Sequence, residues 1–174
     1  MTTQILGVSE HSLRLAKQLI SEGEVVAFHT ETVYGLGADA RSDQAVRHIF
    51  ELKGRPQNNP LIAHVHRDFD ISSLVDVIPA YAKKLAKAFL PGPLTMVYPS
   101  TGKVSPLVSC GLRTLAIRVP SSPTAQAFLR AVDVPIAAPS ANVSKHISPV
   151  TARHVFEDLS LIHISEPTRL RCIS

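Results

Sequence analysis

The stretch KGRPQNNPL at residues 53–61 sets Lys53 and Arg55 one residue apart, separates them by Gly54, and follows them with Pro56 and the amides of Gln57, Asn58 and Asn59. A compact ammonium beside a planar guanidinium suits a polyphosphate, and flanking prolines stiffen the loop that presents them. A solvated helix exit, with cations set against the helix dipole, is the plain alternative for such a pair standing alone. The stiff polar loop around the pair favours anion binding.

Three further stretches put polar residues beside apolar runs. In HTETVYGLG, residues Thr30, Glu31, Thr32 and Tyr34 precede Gly35 and Gly37. Threonine hydroxyls can donate to a carboxylate or phosphate, and glycines permit close backbone approach; an ordinary turn with satisfied hydroxyls is the alternative. The segment is neither a Walker loop nor a dinucleotide fingerprint, because the chain has no GxxxxGK[ST] and GLGADA lacks the third glycine. In TLAIRVP, Arg118 sits in an alternating apolar strand, where burial demands an anionic partner. That partner is either a structural carboxylate or a substrate carboxylate. His64 lies in a similar strand, and Ser140 and Asn142 follow the apolar PIAAP, as a strand-end site or as a simple Asx or Ser turn. No GxSxG, defensible triad or carboxylate pair stands out, so the chemistry expected is positioning and charge stabilisation.

The elements that must hold these residues follow from periodicity. HSLRLAKQLIS, SDQAVRHIFELKG, AYAKKLAKAFL, PTAQAFLRAV and TARHVFEDL read as helices, with Ser42 or Asp43 capping the second and Gly54 ending it. GEVVAFHT, PLIAHVH, PGPLTMVY, TLAIRVP and PIAAPS read as strands. This succession predicts one α/β layered domain over residues 1–159, with ligands gathering beyond the carboxyl ends of strands. The segment 160–174, SLIHISEPTRLRCIS, shows neither a helical stripe nor a convincing strand. It reads as an atypical tail outside the domain, from a truncated or artefactually joined frame.

With 174 residues, 45% hydrophobic and 18% charged, the composition is globular rather than disordered. The formal charge of +4 favours anionic ligands without selecting nucleic acid. Eight histidines lack any metal-binding spacing, and His64 with His66 alone is a weak metal signal. Two cysteines, Cys110 and Cys172, give no disulfide framework, and no apolar run is long enough to span a bilayer. A cytoplasmic protein without membrane contact is expected.

Taken together, HTETVYGLGADA, IFELKGRPQNNPLIAHV, FLPGPLTMVY, TLAIRVP and PSANVSKHISP resemble the YrdC-like threonylcarbamoyl-AMP synthase family over roughly residues 8–159, in order and spacing. The resemblance implies a twisted α/β sheet, mixed or mostly parallel, flanked by helices around a basic cavity. It implies an L-threonylcarbamoyladenylate synthase, a nucleotidyltransferase forming threonylcarbamoyl-AMP and pyrophosphate from L-threonine, bicarbonate or CO2, and ATP, with Mg2+ accompanying the nucleotide. The product serves threonylcarbamoyladenosine synthesis in tRNA, so tRNA or the threonylcarbamoyl-transfer enzymes are the implied partners. Around L-threonine it places Thr32, His64, Arg118 and the backbone at Ala138. Around ATP it places Lys53, Arg55, Asn59, Thr114, Ser140, Asn142 and Ser148, with Lys53 and Arg55 stabilising charge in the reaction. Lys145, Val150 and Leu90 depart from the family pattern, and its later serine-threonine and RPG segments are not found in this chain. A non-catalytic module, binding double-stranded RNA or regulating the tRNA-modification assembly, is the competing expectation.

Overall fold

The computed structural model describes residues 4–144, 146–160 and 170–173. In chain order these form β1 (Gln4–Leu6), α1 (Glu10–Ser21), β2 (Val25–His29), β3 (Tyr34–Asp39), α2 (Asp43–Lys53), β4 (Ile62–His64), a 3-10 turn (Ile71–Ser73), α3 (Ala80–Phe89), β5 (Thr95–Pro99), β6 (Thr114–Arg118), α4 (Pro123–Val132), β7 (Ile136–Ala137), α5 (Ala152–Ser160) and β8 (Leu170–Ile173). The strands make one sheet in the order β1-β8-β2-β3-β7-β4-β6-β5.

The sheet is mixed. β4 runs parallel to β6, and β8 is parallel to both β1 and β2, while the pairs β2–β3, β3–β7, β4–β7 and β5–β6 are antiparallel. Mixed pairing, rather than a mostly parallel sheet, is therefore the form this α/β fold takes. One register row crosses five strands, linking Asp39, Ile136, His64, Arg118 and Thr95. The strand at 170–173 differs from the sequence reading, which expected none there; its backbone fills the gap between β1 and β2, where both neighbours offer ladder donors and acceptors.

Strand alternation divides the core into two layers. Val26 and Phe28 of β2 face α1 and α4, packing with Leu19, Ile20, Phe128 and Leu129. The Phe28 and Phe128 rings meet at 5.0 Å between centroids. Val25 and Ala27 face the other way, into a layer with Val46, Ile49 and Phe50 of α2 and Val155 and Leu159 of α5. Each such large apolar side chain contributes roughly 1.5–3 kcal/mol of burial free energy. Among the described residues no helix is long and apolar enough to cross a membrane.

Local chemistry fixes the helix ends. Ser9 and Ser12 form a reciprocal capping box at the start of α1. Ser42 caps α2 by accepting from the Ala45 N–H at 3.2 Å. Gly54 ends α2 at φ 56°, a left-handed conformation that glycine adopts without a Cβ penalty, and so turns the chain towards Arg55.

The segment Tyr34–Asp39, whose glycines suggested close backbone approach and which the sequence reading assigned to no strand, is a buried strand paired on both sides. A Cβ on Gly37 would meet Ile136 Cγ2 at 2.6 Å and Phe28 Cε1 at 2.9 Å. That glycine serves strand-to-core packing, not the approach of a ligand.

Candidate functional site

Register brings the central residues together. In the parallel pair β4–β6, Ile62 lies opposite Ala116 and His64 opposite Arg118. Period-two alternation then puts Ile62, His64, Ala116 and Arg118 on one sheet face. The β2–β3 turn and the segment after β7 rise beside that face and flank a cleft of about 230 Å3. Thr32, Arg55, His64, Arg118, Ala138 and Ser140 all line it. The cleft lies along the face of β4 and β6, not beyond a common carboxyl edge as the sequence suggested, because the mixed sheet has no such edge.

Hydrogen bonds shape the turn at one end. Thr30 Oγ1 donates to the Val33 carbonyl at 2.6 Å and accepts from the Val33 N–H at 3.2 Å, folding 30–33 tightly. This presents Thr32 and Glu31 to Arg118. Arg118 Nη2 donates to Thr32 Oγ1 at 3.1 Å and makes a short charge-assisted bond to Glu31 Oε1. Glu31 Oε2 accepts from the Ser121 N–H at 3.0 Å. Burial opposes ionisation of Glu31, but the bonds and charge of Arg118, with backbone N–H groups, outweigh it and hold the carboxyl below its usual range. Glu31 is the structural carboxylate that Arg118 required.

His64 is only 4% exposed. Its Nδ1 lies 3.1 Å from the Ile62 carbonyl, and the ring stands edge-on to Phe28. Burial, reinforced by the Arg118 charge, pushes its pKa down to about 4. At neutral pH the ring is therefore uncharged. A carbonyl only accepts, so Nδ1 carries the proton and Nε2 is an acceptor.

The loop after α2 supplies the other end. Arg55 Nε donates to the Asn59 carbonyl at 3.2 Å and Nη2 to the Pro60 carbonyl at 3.1 Å, so among the described residues its charge is held by the loop backbone and not by a carboxylate. Partial burial lowers its pKa from the ordinary arginine value. Arg55 and Arg118 are the charged residues of the lining, which makes the cleft cationic.

Lys53 sits differently from a surface phosphate ligand. It is 1% exposed, and Nζ donates to the carbonyl of Ser140 at 2.5 Å and to that of Asn142. The Ser144 N–H returns a bond to the Lys53 carbonyl at 2.9 Å. Lys53 thus ties the end of α2 to the segment after β7.

The remaining expected residues fall around this centre. Asn59 is exposed and joins through its backbone carbonyl. Thr114 is exposed on the same face of β6 as Arg118, four residues earlier and about 13 Å along the strand. Asn142 is buried, its Nδ2 donating to the carbonyls of Val143 and His146 at 2.7 and 2.8 Å. Ser148 is half-buried beside Pro149, whose carbonyl accepts from the Tyr34 N–H at 3.0 Å. None of these four belongs to the cleft lining. Lys145 lies outside the described residues. His66 does not join His64; its Nε2 bonds to Asp133 at 2.9 Å. The pairing of Glu31 with Arg118 escaped the sequence reading, whose only signal was a lone acid between a buried strand and the glycines.

Comparison with known proteins places this geometry. The Sua5/YciO/YrdC family model, described as telomere recombination, matches residues 18–164. Threonylcarbamoyl-AMP synthase of Pyrococcus abyssi is 48% identical over 151 residues, covering 87% of this chain and 44% of that protein. The Bacillus subtilis enzyme of the same name is 48% identical over 158 residues, covering 90% of this chain and 46% of its own length. The crystal structure of P. abyssi Sua5 complexed with L-threonine superposes with a TM-score of 0.90 at 43% identity, over 98% of this chain and 50% of that one. The chain thus spans about half the length of these relatives. E. coli YciO, at 20% identity and a TM-score of 0.81, shares the fold. With a family match over most of its length and a sheet that superposes on a solved member, the chain belongs to the Sua5/YciO/YrdC family.

Proposed function

We propose that the chain carries the nucleotidyltransferase chemistry of its relatives, forming threonylcarbamoyl-AMP and pyrophosphate from L-threonine, bicarbonate or CO2, and ATP, for threonylcarbamoyladenosine synthesis in tRNA. The observation that carries this reading is the convergence of Thr32, His64, Arg118 and Ala138 at one end of a cationic cleft that Arg55 and Ser140 continue at the other. The relatives' name and the L-threonine complex of P. abyssi Sua5 support it.

In this reading Arg118 and Thr32 receive the L-threonine carboxylate and hydroxyl, the neutral His64 offers an acceptor, and the Ala138 backbone completes that end. Arg55 lies along the ATP phosphates, with Asn59, Thr114, Ser140, Asn142 and Ser148 around the nucleotide. The charge of Lys53 acts from behind the Ser140 and Asn142 carbonyls and sets their position. The threonine amine bonds to the carbon of CO2 and releases a proton to water. A carbamate oxygen then attacks the α-phosphorus as the bond to pyrophosphate breaks, the charge on the departing group facing Arg55. Orientation of three reactants supplies most of the acceleration, since a bound arrangement replaces a termolecular encounter.

Mg2+ belongs with ATP in such chemistry, yet among the described residues no three His, Cys, Asp or Glu side chains converge to cage a metal. Glu31, the acid beside the cleft, is committed to Arg118 and Ser121. Among the described residues there is no protein cage for the ion, so Mg2+ would be carried by the ATP phosphates and water.

The reading is tested by incubating the chain with ATP, L-threonine, Mg2+ and 13C-bicarbonate. Pyrophosphate and a labelled threonylcarbamoyl-adenylate are expected, each requiring all three substrates. Pyrophosphate release that ignores L-threonine and bicarbonate would reject it.

A further inference from the structure

Glu31 belongs to neither expected substrate set, yet it joins two elements at the amino-acid end of the cleft. One carboxylate oxygen accepts from Arg118 at the end of β6, and the other accepts from the Ser121 N–H at 3.0 Å, just ahead of α4. The Arg118 and Glu31 side chains are 14% and 18% exposed, so the pair is largely withdrawn from solvent. Nη2 of Arg118 also donates to Thr32 Oγ1 at 3.1 Å, and Nε is enclosed without a partner. Three of the five guanidinium N–H groups are thereby committed or enclosed. The Nη1 group, with no hydrogen-bond partner among the described residues, is what the arginine can offer a ligand.

The two arginines of the cleft differ for this reason. Arg55 is held by neutral carbonyls and keeps its full charge, whereas Arg118 is nearly balanced by Glu31. A polyphosphate is drawn to the first. A singly charged carboxylate is better matched to the second, where a fixed N–H direction matters more than net charge.

We propose that Glu31 is a positioning and specificity-determining residue, which aims Arg118 at the L-threonine carboxylate and keeps ATP phosphates away from that end. The inference rests on the function proposed above. Removing the carboxylate frees a long, flexible cation in a cationic cleft, where it can turn to phosphate.

The test compares the wild-type chain with Glu31→Ala and Glu31→Gln by steady-state pyrophosphate release. For Glu31→Ala, KM for L-threonine is expected to rise by about tenfold or more and KM for ATP to stay within about twofold. High ATP is expected to inhibit competitively with L-threonine, which a merely structural defect would not produce. Glu31→Gln, with one acceptor oxygen for two donors, is expected to fall between and guards against misfolding of the alanine variant. Unchanged kinetics, or a parallel rise in both KM values, would overturn the proposal. If the wild-type chain makes no adenylate, the proposed function fails, and calorimetric titration with L-threonine alone still tests Glu31. Binding severalfold weaker in Glu31→Gln supports its role, whereas equal binding, or none by the wild type, overturns it.

Discussion

Replacing Lys53 by methionine keeps the length of the side chain and removes its ammonium. In the fold that ammonium is buried and donates to two carbonyls, those of Ser140 and Asn142, on a segment 87 and 89 residues away in sequence. Each carbonyl left without its donor loses roughly 1–3 kcal/mol, and relief of the ammonium's own desolvation offsets part of this. A net destabilisation of about 2–4 kcal/mol is expected. For a chain of this size it lowers the melting temperature by about 4–16 °C. Urea or thermal denaturation of the two proteins side by side measures it. The reasoning also requires ATP affinity to weaken as the Ser140 segment loosens. An unchanged melting temperature with weaker ATP binding would refute it, since Lys53 would then act on the nucleotide and not on the loop.

Three other outcomes follow from the geometry. Gly37→Ala places a Cβ within 2.6 Å of Ile136 and 2.9 Å of Phe28, so a loss of about 1–3 kcal/mol is expected in urea unfolding. His64, its pKa pushed down to about 4, resists protonation in the fold while the unfolded chain takes up the proton near its ordinary value. Stability from this group is complete above about pH 6.5 and is lost as pH falls towards 4, by up to about 3 kcal/mol. His64→Gln is therefore expected to lose less stability than the wild type over that window, in denaturation curves collected across it. Arg118→Lys keeps the charge but loses the planar fork that bonds Glu31 and Thr32 together, and about a tenfold rise in KM for L-threonine is expected in the pyrophosphate assay.

How far the sequence revealed this molecule depended on the range of the interaction. Local signals were reliable: Ser42 does cap α2, Gly54 does end it, and the apolar runs around His64 and Arg118 are strands. The need of Arg118 for an anion was legible from its apolar neighbours. Glu31 as that anion was not, because the pairing depends on a turn folding back across the sheet over 87 residues of sequence. Tyr34–Asp39 went unassigned as a strand because glycine disfavours strands locally. Pairing on both sides, and the room Gly37 leaves for Phe28, overrides that preference. Lys53 was read beside phosphate from its charge alone; its bonds to two carbonyls 87 and 89 residues away left no trace in the local sequence.

The row that joins Asp39, Ile136, His64, Arg118 and Thr95 has a bearing on how such a site can vary. The separation of His64 from Arg118 is one inter-strand spacing, about 4.8 Å, and no side-chain substitution changes it by a fraction. A one-residue slip of β6 would turn Arg118 into the opposite core layer, so the strands permit only all-or-none alterations. The bed beneath the substrates is in this sense digital. Graded adjustment of what the cleft accepts is left to its two loop margins, the turn at 30–33 and the segment at 138–142.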